Sequence, residues 1–199
     1  MMTKYKSEQG GLAMDPSLMK KIYPAVNNMK DFEKLVESAN KDIVILDSRL
    51  SQVGTMVQMG RQRGKHIFLH ADLIQGLKSD LYAAEFICQN IRPYGIISTR
   101  ANTLEIAKKR GLVTVQRIFL LDSRSVETGT RLLEQIRPDM VELLPGLIPQ
   151  MIREIRQKIT VPVIAGGLIR NKQDVAAAFA AGAAGISTSR KELWQLQAS

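Results

Sequence analysis

A single cysteine, Cys88, stands in this chain, so no intrachain disulfide can form and the fold must hold without covalent cross-links. Cys88 lies in an apolar helical stretch and reads as a small buried hydrophobe, and a reducing, cytoplasmic compartment suits such a chain. Histidine is nearly as scarce, with His66 and His70 only. Two such residues without an evident third ligand make a poor metal site, and neither a metal nor a cofactor is expected. Aromatic residues are 5% of the total and do not interleave with the basic runs, which argues against a base-stacking platform for single strands. No apolar run nears the ~20 residues of a membrane span. Residues 1–12 are polar and lack the apolar centre of a signal peptide, so a flexible, disordered tail is expected over 1–18. Carboxylates also fall short: 19 of them face 28 lysines and arginines, a net charge of +9. That balance favours an acidic partner, whether a nucleic-acid backbone, an anionic membrane surface or an anionic metabolite. Absent, finally, are a Walker loop, a Gly-x-Gly-x-x-Gly turn, a His-Glu-x-x-His pair and any Ser/His/Asp order, which removes the commonest catalytic signatures.

What is present is a regular alternation. With 45% hydrophobic residues over 199, the chain can bury one sizeable core. Short β-branched runs predict strands at Ile22–Val26, Asp42–Leu46, His66–His70, Gly95–Ser98, Val113–Phe119, Met140–Leu144, Val161–Ala165 and Gly185–Ser187. Amphipathic stretches separate them, with capping residues expected at Asp31, Ser51, Asp80, Asn102, Ser123 and Asn171. Uninterrupted strand–helix alternation implies parallel strands joined by right-handed crossovers, and eight units favour closure. The expected fold is α/β: one compact (β/α)8 TIM-like barrel over residues 19–199, with no linker inside it.

In such a barrel, polar residues at strand C-termini crowd one mouth. The stretch from Val161 to Arg190 is the clearest candidate there. Gly166 and Gly167 end one apolar run, and Ser187, Thr188 and Ser189 end the next, which is the pattern of a phosphate seat built from backbone N–H groups and hydroxyls. Further candidates are Asp47, His70 and Asp72, the Ser98 to Arg100 turn, Arg117 and Glu142. Arg117 alternates with Val115 and Phe119, and Glu142 with Met140 and Leu144, so each shares an apolar face where a charge needs a partner. An Arg117–Glu142 ion pair across adjacent strands satisfies that need. His70 and Asp72, two residues apart, suit hydrogen bonds to hydroxyls or an acid/base pair. Basic clusters at Arg61–Lys65, Lys108–Arg110, Arg153–Lys158 and Arg170–Lys172 lie at helix ends, where cations also complement the helix dipole.

Several longer strings carry a resemblance. They are Pro24-Ala-Val, His70-Ala-Asp-Leu-Ile-Gln-Gly-Leu-Lys-Ser-Asp80, Gly95-Ile-Ile-Ser-Thr-Arg100, Gln116-Arg-Ile-Phe-Leu-Leu-Asp-Ser123, Pro138-Asp-Met-Val-Glu-Leu-Leu-Pro-Gly146, Ile164-Ala-Gly-Gly-Leu-Ile169, and Ser187-Thr-Ser189 with Leu193-Trp194. In these the chain resembles the glycerol-3-phosphate-responsive antiterminators, regulators of bacterial glycerol uptake operons. The resemblance implies a TIM-barrel-like domain that senses glycerol 3-phosphate and acts on the leader of nascent messenger RNA, without catalysing a reaction. The effector's phosphate is then expected on Gly166, Gly167, Ser187, Thr188 and Ser189, its hydroxyls on some of His70, Asp72, Arg117 and Glu142, and Arg100 is expected among the ligand-binding residues. The rival reading is a small phosphometabolite isomerase or synthase using the same seat. A third is a ligand sensor that works through a protein partner, and self-association is left open.

Overall fold

The computed structural model describes residues 20–196; the expected tail over residues 1–18 lies outside them. The first units are β1 (Lys21–Val26) with α1 (Met29–Val36), β2 (Asp42–Ile45) leading through β3 (Ser48–Arg49) to α2 (Leu50–Gln62), and β4 (His66–His70) leading through β5 (Ile74–Gln75) to α3 (Leu81–Phe86). Then follow β6 (Gly95–Ser98) and α4 (Ala101–Lys109), β7 (Val113–Phe119) and α5 (Ser123–Ile136), and β8 (Met140–Leu144) and α6 (Pro149–Lys158). β9 (Val163–Gly166), α7 (Lys172–Ala180) and β10 (Gly185–Thr188) complete the series. Eight parallel strands close in the order β1-β10-β9-β8-β7-β6-β4-β2, while β3 and β5 pair as a separate ribbon beyond the ends of β2 and β4.

The period-two alternation of each strand sorts its side chains between two cores. Tyr23, Ala25, Val44, Phe68, Ile97, Val115, Met140 and Ile164 fill the barrel interior. Their sequence neighbours point outward; Ile43 and Ile45 of β2, for example, share a fully buried cluster with Phe32 and Leu35 of α1. Each such aliphatic or aromatic side chain contributes roughly 1.5–3 kcal/mol by leaving water.

Four helices start on a side chain that accepts a first-turn N–H: Asn28 from Asp31, Asp80 from Ala83, Asp122 from Ser125 and Asn171 from Asp174. Asp80 and Asn171 match expectation. Asp31 is instead the residue whose amide Asn28 caps, and Ser123 lies one position inside its helix. Ser51 and Asn102 also fall inside, since α2 and α4 follow Arg49 and Arg100 with no side-chain cap. The strand expected at Val161 begins at Val163, because Pro162 has no N–H to give a ladder.

The last unit differs from the rest. Among the described residues, β10 is followed by a 3-10 turn, Lys191–Leu193, where a full (β/α)8 barrel carries an eighth helix. Trp194 closes the gap in part: its ring is buried and its indole N–H donates to the Thr188 carbonyl at 2.9 Å.

Candidate functional site

All eight barrel strands point their C-terminal ends at one mouth, so the interior-facing residues of their last turns converge there. Arg117 and Glu142 are direct partners in the β7–β8 register, and both are buried. Arg117 Nε donates to Glu142 Oε2 at 2.7 Å, so the ion pair expected from alternation is present. Ser187, on β10, donates its hydroxyl proton to Glu142 Oε1 at 2.5 Å. Glu142 thus accepts one charged and one neutral hydrogen bond, one at each oxygen. This is what a carboxylate out of water needs.

Gly166 makes the arrangement possible. A Cβ there would stand 2.7 Å from Glu142 Oε1 and would also strike the Ser187 hydroxyl. Gly167 serves differently: its φ of +71° lies in the left-handed region that glycine adopts without penalty, and Leu168 follows at +61°, where a side chain costs roughly 1–2 kcal/mol. The chain therefore turns sharply away from β9. The amides of Gly167, Leu168 and Ser189 meet no acceptor among the described residues.

Between these loops lies a cavity of about 410 Å³ lined by Arg117, Glu142, Gly167, Arg170, Ser187, Thr188, Ser189 and Arg190, with Leu46, Leu73, Leu144 and Leu168 around them. Three arginines against one carboxylate leave it two positive charges in excess. Arg117 spends only Nε within the described residues, so its terminal N–H groups remain for an occupant. The helix dipole contributes less than a phosphate seat usually draws from it. Around the start of α7 the Arg170 and Asn171 amides donate to the Asp174 carboxylate at 2.8 and 3.3 Å, so the donors an anion would use are already engaged. Loop amides, the Ser189 hydroxyl and arginine side chains are what is left.

His70 sits inside the barrel, 3% exposed, and neither ring nitrogen has a hydrogen-bond partner. Burial, reinforced by the Arg117 charge, pushes its pKa down to about 4, so the imidazole is neutral near pH 7 and offers one donor and one acceptor. Asp72 and Arg100 go elsewhere. β4 ends at His70, and the 3-10 turn Ala71–Leu73 swings Asp72 toward β6, where it accepts from the Ser98 hydroxyl at 2.6 Å and from the Thr99 amide and hydroxyl at 2.8 and 2.9 Å. Arg100 donates to the Ser79 carbonyl at 2.9 Å and lines a separate hollow with Ser79 and Asp80. The strand-end logic that found Arg117 and Glu142 missed Arg170 and Arg190. Each stands one residue beyond a string that marks the seat, Ile164–Ile169 or Ser187–Ser189, and that adjacency was the available signal.

Comparison with known proteins decides the family. The sequence pattern described as "Glycerol-3-phosphate responsive antiterminator" matches residues 22–194. The chain belongs to that family. Among solved structures, an antiterminator regulatory protein of the glycerol uptake operon from Listeria monocytogenes is 40% identical with a TM-score of 0.86, over 94% of this chain and 99% of that one. A glycerol uptake operon antiterminator-related protein from Thermotoga maritima is 29% identical with a TM-score of 0.77, over 89% and 99%. An uncharacterized Escherichia coli protein, YgcP, is 30% identical over 175 residues, 88% of this chain and 92% of its own. More distant likenesses, such as the deoxyribose phosphate aldolase of Aeropyrum pernix at 16% identity and a TM-score of 0.66, show only that this chain shares its barrel fold with such proteins. No helix among the described residues is long and apolar enough to cross a membrane, and none of their His, Cys, Asp and Glu side chains group as a metal site.

Proposed function

We propose that this protein holds glycerol 3-phosphate in the mouth of the barrel and that occupancy sets its action on the leader of nascent messenger RNA. The family supports the effector, and one observation about the cavity carries the assignment: three arginines converge on a site whose single carboxylate is already held by Arg117 and Ser187. A phosphate dianion fits the excess charge. It would rest on the Gly167, Leu168 and Ser189 amides between Arg170 and Arg190. The glycerol hydroxyls would then extend inward to Glu142, whose oxygens keep lone pairs beyond the two in use, and to the unpaired nitrogens of His70. Asp72 and Arg100 would shape the mouth without touching the ligand.

The protein acts as a regulator in this reading, not as a catalyst. Schiff-base chemistry on a phosphorylated carbonyl needs an amine, and the described lining of the cavity contains no lysine. Calorimetric titration with glycerol 3-phosphate tests the site. Replacing Arg170 and Arg190 together by alanine removes two charge-assisted contacts, and affinity should fall at least about tenfold while the fold persists, since both side chains are exposed. Unaltered affinity in that variant would reject the assignment.

A further inference from the structure

Beside the 3-10 turn that follows β10 lies a second, larger hollow on the flank of the barrel. It is a groove of about 930 Å³ between α1, the ends of β1 and β2, and the turn after β10. Lys20, Lys21, Lys34, Lys41 and Lys191 line it, against the single carboxylate of Asp42. Lys65 adjoins it, donating to the carbonyls of Ser38 and Asn40 on its rim.

Two of these lysines, Lys34 and Lys41, differ from several other basic residues at helix ends, while Lys21 and Lys191 are paired with Asp42 and Asp31. Arg61 donates to the Ile91 and Arg92 carbonyls, Arg92 to Gln89, Lys108 to Ile136 and Arg137, and Arg156 to Val161, so that group is spent on closing helix ends. Lys34 and Lys41 are exposed, and their side chains make no ion pair or hydrogen bond among the described residues. The one aromatic residue in the lining, Trp194, is buried with its N–H committed to Thr188, so the groove has charge for a polyanion and no platform for stacked bases.

The groove is also wired to the mouth. Thr188 and Arg190 line the ligand cavity, and Lys191, Trp194 and Gln195 line the groove a few residues on. Lys191 pairs with Asp31 of α1 at 2.5 Å, and the indole hydrogen bond anchors the segment to Thr188 itself. A shift of the 188–190 loop around a phosphate would therefore be carried into the groove wall.

We infer that this lysine groove grips the phosphate backbone of single-stranded RNA, and that the segment Thr188–Trp194 couples it to the effector site. The inference rests on the proposed function for its partner, since an RNA leader supplies the polyanion. Ligand would act by favouring one arrangement of the groove, because an effector that binds both arrangements equally shifts nothing.

Filter binding of a single-stranded leader transcript across a salt series tests this with Lys34→Glu/Lys41→Glu and Trp194→Phe. In the double lysine variant RNA affinity at 0.15 M salt should fall by about tenfold or more, and the slope of log K against log salt should flatten by about 1.4, two single-strand phosphate contacts. The thermal shift produced by glycerol 3-phosphate should be unchanged. Trp194→Phe keeps an aromatic side chain, smaller than the indole, and loses the hydrogen bond, so it should bind RNA and ligand singly while the ligand's effect on RNA affinity shrinks. Wild-type RNA binding that the lysine variant matches in affinity and slope would overturn the groove and leave the effector reading intact. A wild type that binds glycerol 3-phosphate and no RNA would remove both the groove and the RNA half of the proposed function. Loss of antitermination in the lysine variant with RNA affinity preserved would mark the groove as a dock for an acidic protein and would also overturn the inference.

Discussion

One strand, β4, begins and ends with histidine, and the two ends have opposite fates. His66 opens the strand at the closed end of the barrel. Its Nδ1 lies 3.0 Å from Asp42, its ring stacks on Tyr94 with centroids 3.8 Å apart, and Lys21 reaches the same carboxylate at 3.4 Å. Four residues later His70 ends the strand, buried, with both nitrogens unpartnered. The first histidine is spent on structure. Buried polar groups are rarely left unpaired, and one that is needs an explanation such as a ligand. The contrast teaches that one strand ties its first histidine into the closed end and leaves its last one unpartnered at the other.

The largest effect should come from breaking the buried ion pair of the mouth. Arg117→Met leaves Glu142 buried with only the Ser187 hydroxyl, and stability measured by urea unfolding should drop by about 3–5 kcal/mol. Arg117→Met/Glu142→Leu, which removes both charges, should recover most of that loss. Glycerol 3-phosphate affinity should not return with it. If the double variant regained ligand binding, the ion pair would be a structural tie and no part of the site.

His70 gives the next effect and a sign that separates it from an exposed histidine. In the unfolded chain its pKa is near 6.5, and in the fold it is pushed down to about 4. Between those values the unfolded chain binds more protons than the native one, so this contribution is fully present above pH 6.5 and is lost as pH falls toward 4. The full shift corresponds to about 3 kcal/mol, and His70→Gln should flatten the stability profile over that window. A profile unchanged by the substitution would mean that His70 is hydrated and unshifted.

Sequence alone reveals much of this and stops at identifiable places. Alternation is a local property, so the strands and the inward face of Arg117 and Glu142 can be read without neighbours; their pairing needed only the order of adjacent strands. The seat strings at Gly166-Gly167 and Ser187–Ser189 are equally local. Asp72 was not legible, because two-residue spacing puts His70 and Asp72 on one face only while the strand continues, and here it gives way to a 3-10 turn. Nor was the division of labour between the glycines. That Gly166 yields space to Glu142 while Gly167 supplies a positive φ depends on β8 and β10 lying beside β9. The groove was illegible for a related reason: its lysines are scattered over β1, α1, the loop before β2 and the C-terminal turn, and only closure of the barrel gathers them.

The smallest effect belongs to the closed end, and it completes the contrast. Asp42→Asn keeps an oxygen acceptor facing His66 and removes the charge that pairs with Lys21, whose side chain is 33% exposed. Solvent already screens that pairing, so thermal unfolding should register a loss of no more than about 1 kcal/mol, and glycerol 3-phosphate affinity should stay at the wild-type value. Asp42 is, however, the sole carboxylate in the lysine groove's lining. The same substitution should therefore hold or slightly tighten RNA binding while stability slips, an opposition that a purely structural closed end would not produce.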